Sequence, residues 1–401
     1  MTASLAMAQR MSRLGTESAF EVLARAKALE AQGRSIINLG IGQPDFPTPP
    51  HIVEAGRKAL ADGHHGYTPT NGIPKLREAV VADLLRRHGV NVSPDRVLVV
   101  PGGKVTMFFA IMMFGEAGAE ILHPNPGFPI YESVIRFSGA TPVPIDLHES
   151  KGFSFSADEV LAKLTERSRL IIVNSPANPT GGVVPKAELD KLVAGLERFP
   201  KVAVLSDEIY GEILYDGARH VSLLTYPSIA DRVILLDGWS KTYAMTGWRL
   251  GYGVWPETLF TGAERLAVNS HSCVNAAAQH AGIAALTGPR KEVDAMVRAF
   301  AERRKVITAA LNKFPGLRCA TPGGAFYAFP NVGGTGMGAR EIERRLLDEA
   351  GIATVAGTSF GEFGEGFVRF SYAASREAIE EAMTRLGEWL ARQDNQRVPA
   401  R

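Results

Sequence analysis

Between about residue 95 and residue 255 the chain switches repeatedly from short, apolar, β-branched runs to longer stretches with helical spacing. That alternation marks serial βαβ units, in which crossover helices join strands that lie parallel in one sheet. The expected strands are Val97–Val100, Glu120–Leu122, Leu170–Val173, Val202–Leu205, Val233–Leu236 and Leu250–Val254. Runs this short and this apolar suit strands buried on both faces. Amphipathic stretches such as Lys186–Arg198 supply the crossovers, and Val105–Phe114, too short to span a bilayer, reads as a buried helix. The expected class is α/β, with a large domain built on a mainly parallel sheet flanked by helices.

After residue 290 the pattern changes. Lys291–Phe314 reads as a long helix, followed by strand-like Gly324–Phe329 and Phe367–Tyr372 and by helical spacing over Ala339–Ala350 and Arg376–Gln393. This is a smaller α+β region. A chain of 401 residues exceeds the size at which single cores stop growing. The N-terminal stretch, with a helix over Glu17–Gln32, is too short to fold alone and is expected to pack on the C-terminal part. Residues 46–294 are therefore expected to form the large domain, and residues 1–45 with 295–401 the small one. A net charge of +2 gives no bulk attraction to nucleic acid or an anionic membrane. Met1 to Leu14 lacks a signal-peptide pattern, and Cys273 and Cys319 form neither a disulfide framework nor a zinc motif, so a cytoplasmic location is expected.

The residues that carry chemistry follow strand ends. Lys241 comes after Val233–Leu236, at the carboxyl edge where open α/β sheets place ligands, and a lysine held there can form a Schiff base. Asp207 and Tyr210 follow Val202–Leu205. The aspartate suits a pyridine nitrogen, or else it caps the segment that follows. Asn178 sits in a Pro- and Gly-rich loop after Leu170–Val173, a rigid presenter or an ordinary turn. Gly102-Gly103-Lys104 joins a strand to a helix, where backbone N–H groups can approach an anion, and Ser240 and Arg249 can complete that cradle. Arg369, inside an apolar strand-like run, offers a planar guanidinium for a carboxylate or forms a structural ion pair. Gly334-Thr335-Gly336-Met337-Gly338-Ala339 fits a loose dinucleotide pattern but lies outside the βαβ region and is rejected. Metal and serine-hydrolase motifs are missing from the sequence.

The ordered set Gly42 to Phe46, Tyr67, Gly102 to Lys104, Asn174 to Gly181, Ser206 to Tyr210, Ser240-Lys241, Met245 to Arg249, Gly323 to Tyr327 and Arg369 resembles the class I/II pyridoxal-phosphate aminotransferases, in particular the bacterial aspartate aminotransferase branch of fold type I. The resemblance implies a seven-stranded-type sheet and pyridoxal 5'-phosphate as cofactor. It implies that Lys241 carries the cofactor as a Schiff base, that Asp207 pairs with the ring nitrogen, and that Tyr210 and Asn178 contact the ring hydroxyl. Gly102, Gly103, Lys104, Ser240 and Arg249 would surround the phosphate, Phe128 would stack on the ring, and Gly42, Asn178 and Arg369 would take the substrate carboxylate. Tyr67 would reach the partner's site in a homodimer. The implied reaction moves an α-amino group between an L-amino acid and a 2-oxo acid by ping-pong turnover.

The substrate side chain is less determined. Lys104 suits a distal carboxylate, yet a glutamate at the helix start Ser18-Ala19-Phe20-Glu21 would oppose one. A broad or neutral and aromatic donor range is therefore expected, with aspartate as the other reading. A β-lyase acting on cysteine conjugates is the alternative reaction on the same cofactor.

Overall fold

The computed structural model describes residues 5–397, so the first and last four residues of the smaller expected unit, and the start of the Met1 to Leu14 stretch, lie outside the described residues. Seven strands form the main sheet in the order Val97–Val100, Gly251–Val254, Val233–Gly238, Ala203–Asp207, Ser168–Asn174, Glu120–Asn125, Thr141–Asp146. Gly251–Val254 runs antiparallel to both neighbours, and every other pair is parallel.

Side chains alternate faces along each strand, and both faces are buried. Val97, Val99, Ile171, Val204 and Leu235 enter one core, whereas Leu98, Val100, Ile172, Leu205 and Leu236 enter the other. This double burial is why the strands read as continuous apolar runs. Thr141–Asp146 was missed because Pro142 and Pro144 interrupt its pattern. It forms one edge of the sheet, where a strand tolerates residues that cannot donate to the ladder.

The crossover helices take the expected places, at Lys104–Phe114, which begins one residue earlier than expected, and at Lys186–Leu196, which ends sooner. Helices outside the expected set, among them Pro50–Ala61, Pro74–His88, Ile130–Ser138, Ala157–Ala162, Glu257–Ser270 and Ala276–Thr287, complete the layers. Pro74 opens its helix at a position where the missing N–H costs nothing, and Gly89 closes it with φ 69°.

In the C-terminal region the strands are shorter than expected. Tyr327–Ala328 and Val355–Ala356 flank Val368–Ser371 in an antiparallel sheet, and Ile37–Asn38 pairs with Ile352–Ala353. The helix expected over Ala339–Ala350 is α-helical only to Arg345 and ends in a wider π turn over Leu346–Ala350. Helix Ser18–Ala31 sets Val22 and Ala26 against Leu347 and Ala353, as expected of an N-terminal segment leaning on the C-terminal part. The rejected glycine pattern is a turn leading into Ala339–Arg345.

Candidate active site

The carboxyl ends of the parallel strands open onto a cavity of about 500 Å³, within the usual size for small-molecule sites. Its walls include Gly42, Gly103, Lys104, Phe128, Asn178, Asp207, Tyr210, Ser240, Lys241, Arg249 and Arg369. Eleven of the thirteen residues singled out in the sequence thus share one cavity. The other two are Gly102 and Tyr67. Gly102 lies directly behind the wall with φ 93°, and a Cβ there would meet Nη2 of Arg249 at 2.1 Å. Tyr67 is 95% exposed and stays outside this cavity.

Lys241 leaves the end of strand Val233–Gly238, and its Nζ donates to the Gly42 carbonyl at 2.5 Å. Burial, with the Arg369 cation nearby, pushes its ammonium down to about 8, which makes a neutral amine accessible at mildly alkaline pH. Asp207 ends strand Ala203–Asp207 and is buried. Burial pushes it up to about 6, while the Tyr131 hydroxyl at 2.5 Å and the Ile209 N–H at 3.3 Å pull the other way.

Asp207 stands apart from its acidic neighbours. Asp83 and Asp237 pair with Arg87 at 2.7 Å and 2.9 Å, Glu212 with Arg290 at 2.5 Å, and Glu208 with His220 at 2.8 Å. Among these acids, Asp207 alone has only neutral hydrogen-bond donors and no paired cation, although the Lys241 ammonium across the cavity also lowers its proton affinity.

A second charge sits across the cavity. Arg369 is 3% exposed and donates to Oδ1 of Asn178 at 2.8 Å and to the Gly40 carbonyl. Its guanidinium lies 4.6 Å from the Tyr327 ring centroid and 4.8 Å from that of Phe360, and its Nε has no partner. Tyr327 also hydrogen-bonds Tyr210 between hydroxyls at 2.7 Å. Near the start of helix Lys104–Phe114, Arg249 donates to the Thr246 carbonyl at 2.9 Å and to that of Pro101 at 3.4 Å. Arg249 itself is left-handed at φ 53°, a strained conformation of the kind that collects at functional sites.

Chemically, the cavity offers an amine of lowered basicity, a carboxylate without a paired cation, a glycine-lined helix start beside an arginine, and a buried guanidinium. The family model described as Aminotransferase class I and II matches residues 34–386. The chain belongs to this family.

This aminotransferase is 37% identical over 382 residues to the aspartate aminotransferase of Pyrococcus horikoshii, covering 95% of this chain and 96% of that one. It is 36% identical to aromatic-amino-acid aminotransferase 2 of Thermococcus litoralis over 89% of this chain and 92% of that protein. The crystal structure of the aspartate aminotransferase from Rhizobium meliloti superposes with a TM-score of 0.92 at 33% identity, covering 97% and 100% of the two chains. The protein is a fold type I, pyridoxal-phosphate-dependent enzyme that transfers amino groups. Among its described residues no helix is long and apolar enough to cross a membrane.

Several residues of this cavity escaped sequence reading. The glutamate at the helix start is Glu17 rather than Glu21: Glu17 pairs with Lys104 inside the cavity, whereas Glu21 is exposed and outside its walls. Tyr131 carried no motif of its own, since its partner Asp207 lies 76 positions away. Asn174 stood in the quoted run but without a role. Its amide donates to the Asp207 carbonyl at 3.2 Å and accepts from the Asn178 N–H at 3.0 Å, tying two strand ends together.

Proposed function

We propose that this site transfers the amino group of neutral and aromatic L-amino acids to 2-oxo acids, with Lys241 and Asp207 at its centre. The observation that carries the reading is the uncompensated Asp207 carboxylate facing the same cavity as an amine of lowered basicity. Pyridoxal phosphate fits this donor set. Asp207, which has no paired cation, would hold a protonated ring nitrogen, and Lys241 would supply the amine for the aldehyde. The close Gly102–Arg249 approach, with Gly103, the first backbone N–H groups of helix Lys104–Phe114 and Ser240, suits the phosphate. When bound, the cofactor supplies an electron sink that weakens the bonds at the substrate Cα.

The remaining work falls to the chain's own residues. Arg369 holds the α-carboxylate through its unpartnered Nε, while Asn178, which accepts from its Nη1, fixes its orientation. Freed Lys241 takes the Cα proton and returns it on the far side of the transfer, and its lowered basicity suits that exchange. Tyr210 and Asn178 would hold the ring hydroxyl, and Phe128 would cover the ring. Two half-reactions at one site give ping-pong kinetics.

Lys104, the cation best placed for a second substrate carboxylate, is compensated by Glu17. The cavity walls include the apolar side chains Phe20, Ile41, Met107, Val355 and Phe360. This favours neutral and aromatic donors, and the names of the Pyrococcus and Thermococcus relatives span both aspartate and aromatic substrates. Transamination rates for phenylalanine, tyrosine, alanine and aspartate with one 2-oxo acid test the reading. Turnover of aspartate equal to or above the other three overturns the substrate range. Ammonia released from a cysteine conjugate without a 2-oxo acid would instead mark the β-lyase alternative, which no feature of the cavity favours.

The working unit is a homodimer in which exposed Tyr67 completes the partner's phosphate site. Residues 46–294 act as the large unit and residues 1–45 with 295–401 as the small one. The enzyme works in the cytoplasm, where its free thiols Cys273 and Cys319 stay reduced.

A further inference from the structure

Directly after Asp207, on the side away from the cavity, Glu208 is buried with its side chain 2% exposed. Its Oε1 accepts from Ser206 Oγ at 2.8 Å, Ser222 Oγ at 2.9 Å and the Leu223 N–H at 3.3 Å, and its Oε2 lies 2.8 Å from Nε2 of His220. The carboxylate thereby ties the loop after residue 219 to the strand that presents Asp207. Neither Glu208 nor His220 lines the cavity, so neither touches a ligand.

We infer that Glu208 and His220 are positioning residues for the reaction: protonated His220 balances Glu208, leaving Asp207 as the anion of this edge without a paired cation, available to the cofactor ring. The inference rests on the assignment of Asp207 to the ring nitrogen. Like charges this close raise each other's proton affinity, so an unbalanced Glu208 would compete with the charge that Asp207 must carry. Charges around the pair are already committed: Arg87 pairs with Asp83 and Asp237, and the Tyr252 hydroxyl donates to Asp237 at 3.3 Å. His88 packs edge-on to His220 at 5.7 Å, but burial pushes it down to about 4, so it brings no cation at neutral pH. For His220, burial alone would favour the neutral ring, and the adjacent Glu208 outweighs it and raises the imidazole above its usual range. Burial would raise Glu208, yet His220 holds it down at about 2.

The test follows the visible band of the bound cofactor against pH in folded holoenzymes. His220→Gln takes away the cation while Ser206, Ser222 and the Leu223 N–H still donate to Glu208, so the midpoint of the band shift should move up by about one unit. Glu208→Gln/His220→Gln removes both charges and should return the midpoint to within a few tenths of wild type, a non-additive result that a purely structural role would not give. In the wild-type holoenzyme, histidine-selective NMR should find His220 protonated at pH 7, a measurement that needs no variant to fold. An unchanged midpoint in His220→Gln, a double variant shifted as far as the single one, or a neutral His220 at pH 7 overturns the inference alone. Absence of any cofactor band in the wild type overturns the cofactor assignment and this inference with it.

Discussion

Tyr131 donates its phenolic hydroxyl to Oδ2 of Asp207 at 2.5 Å, with both groups buried. This bond lowers the proton affinity of a carboxylate that burial drives up to about 6. Tyr131→Phe removes the donor, so Asp207 should become harder to ionise and the acid limb of the pH–rate profile should move upward. A charge-assisted bond of this kind is worth on the order of 1.5–3 kcal/mol, so kcat/KM should fall at least about tenfold with the fold intact. Steady-state kinetics from pH 5 to 9 check it, and an unmoved acid limb would contradict it.

Glu17 and Lys104 form an ion pair within the cavity. Glu17→Gln frees the Lys104 ammonium for a substrate carboxylate. The ratio of kcat/KM for aspartate over phenylalanine should rise by about tenfold, the scale of one partly buried charge pair. A ratio equal to wild type would show that Lys104 does not face the substrate side chain.

The fold was legible where one physical rule acted alone. Strands buried on both faces read as unbroken apolar runs, so six of the seven sheet strands were found, and Thr141–Asp146 was lost to its prolines at the sheet edge. Lys241, Asp207 and Asn178 were legible because each follows a strand and must emerge at the same edge. Tyr131, Glu17 and His220 were not. Their meaning lies in partners 76, 87 and 12 positions away, brought together only by packing. Helix ends were blurred for a similar reason, since tertiary contacts rather than local spacing decide where the last turn closes.

Lys241 makes stability depend on pH. Its ammonium is held at about 8, below the ordinary 10.5, so the folded state binds this proton less tightly than the unfolded chain. Between those two values the unfolded state carries more protons, so the cofactor-free protein gains stability as pH rises through this window and bears the full penalty below it. Lys241→Met should therefore melt higher than wild type at pH 7 without cofactor, with the gap closing as pH approaches 10.5. Thermal melts of both apoproteins check this, and an equal or lower melting point at pH 7 would contradict it.

Arg369 presents a planar guanidinium between Tyr327 and Phe360. Arg369→Lys keeps the charge but loses the fork geometry and the stacking. KM for the amino donor should rise and kcat/KM fall by about a hundredfold, the cost of a lost bidentate pair at a buried site. Cofactor absorbance should stay as in wild type. A donor KM near the wild-type value would contradict the assignment.

Tyr67 is 95% exposed in the single chain. If it serves the partner's site, Tyr67→Ala and Lys241→Ala mixed as subunits should yield hybrids with one fully restored site. Mixing two weak or inactive proteins should then recover about a quarter of wild-type activity from random pairing and one good site per hybrid, by the symmetry of a two-fold dimer. No recovery after verified subunit exchange would place Tyr67 outside the partner's site.

On the proposed reading, Lys241 carries the cofactor in the cavity it shares with Asp207. Borohydride reduction of the holoenzyme followed by peptide mass spectrometry tests it most directly. The cofactor mass should be fixed to the peptide containing Lys241 and lost when an amino acid is added before reduction. Labelling at Lys104 instead, or a label on Lys241 that amino acids do not remove, would contradict it.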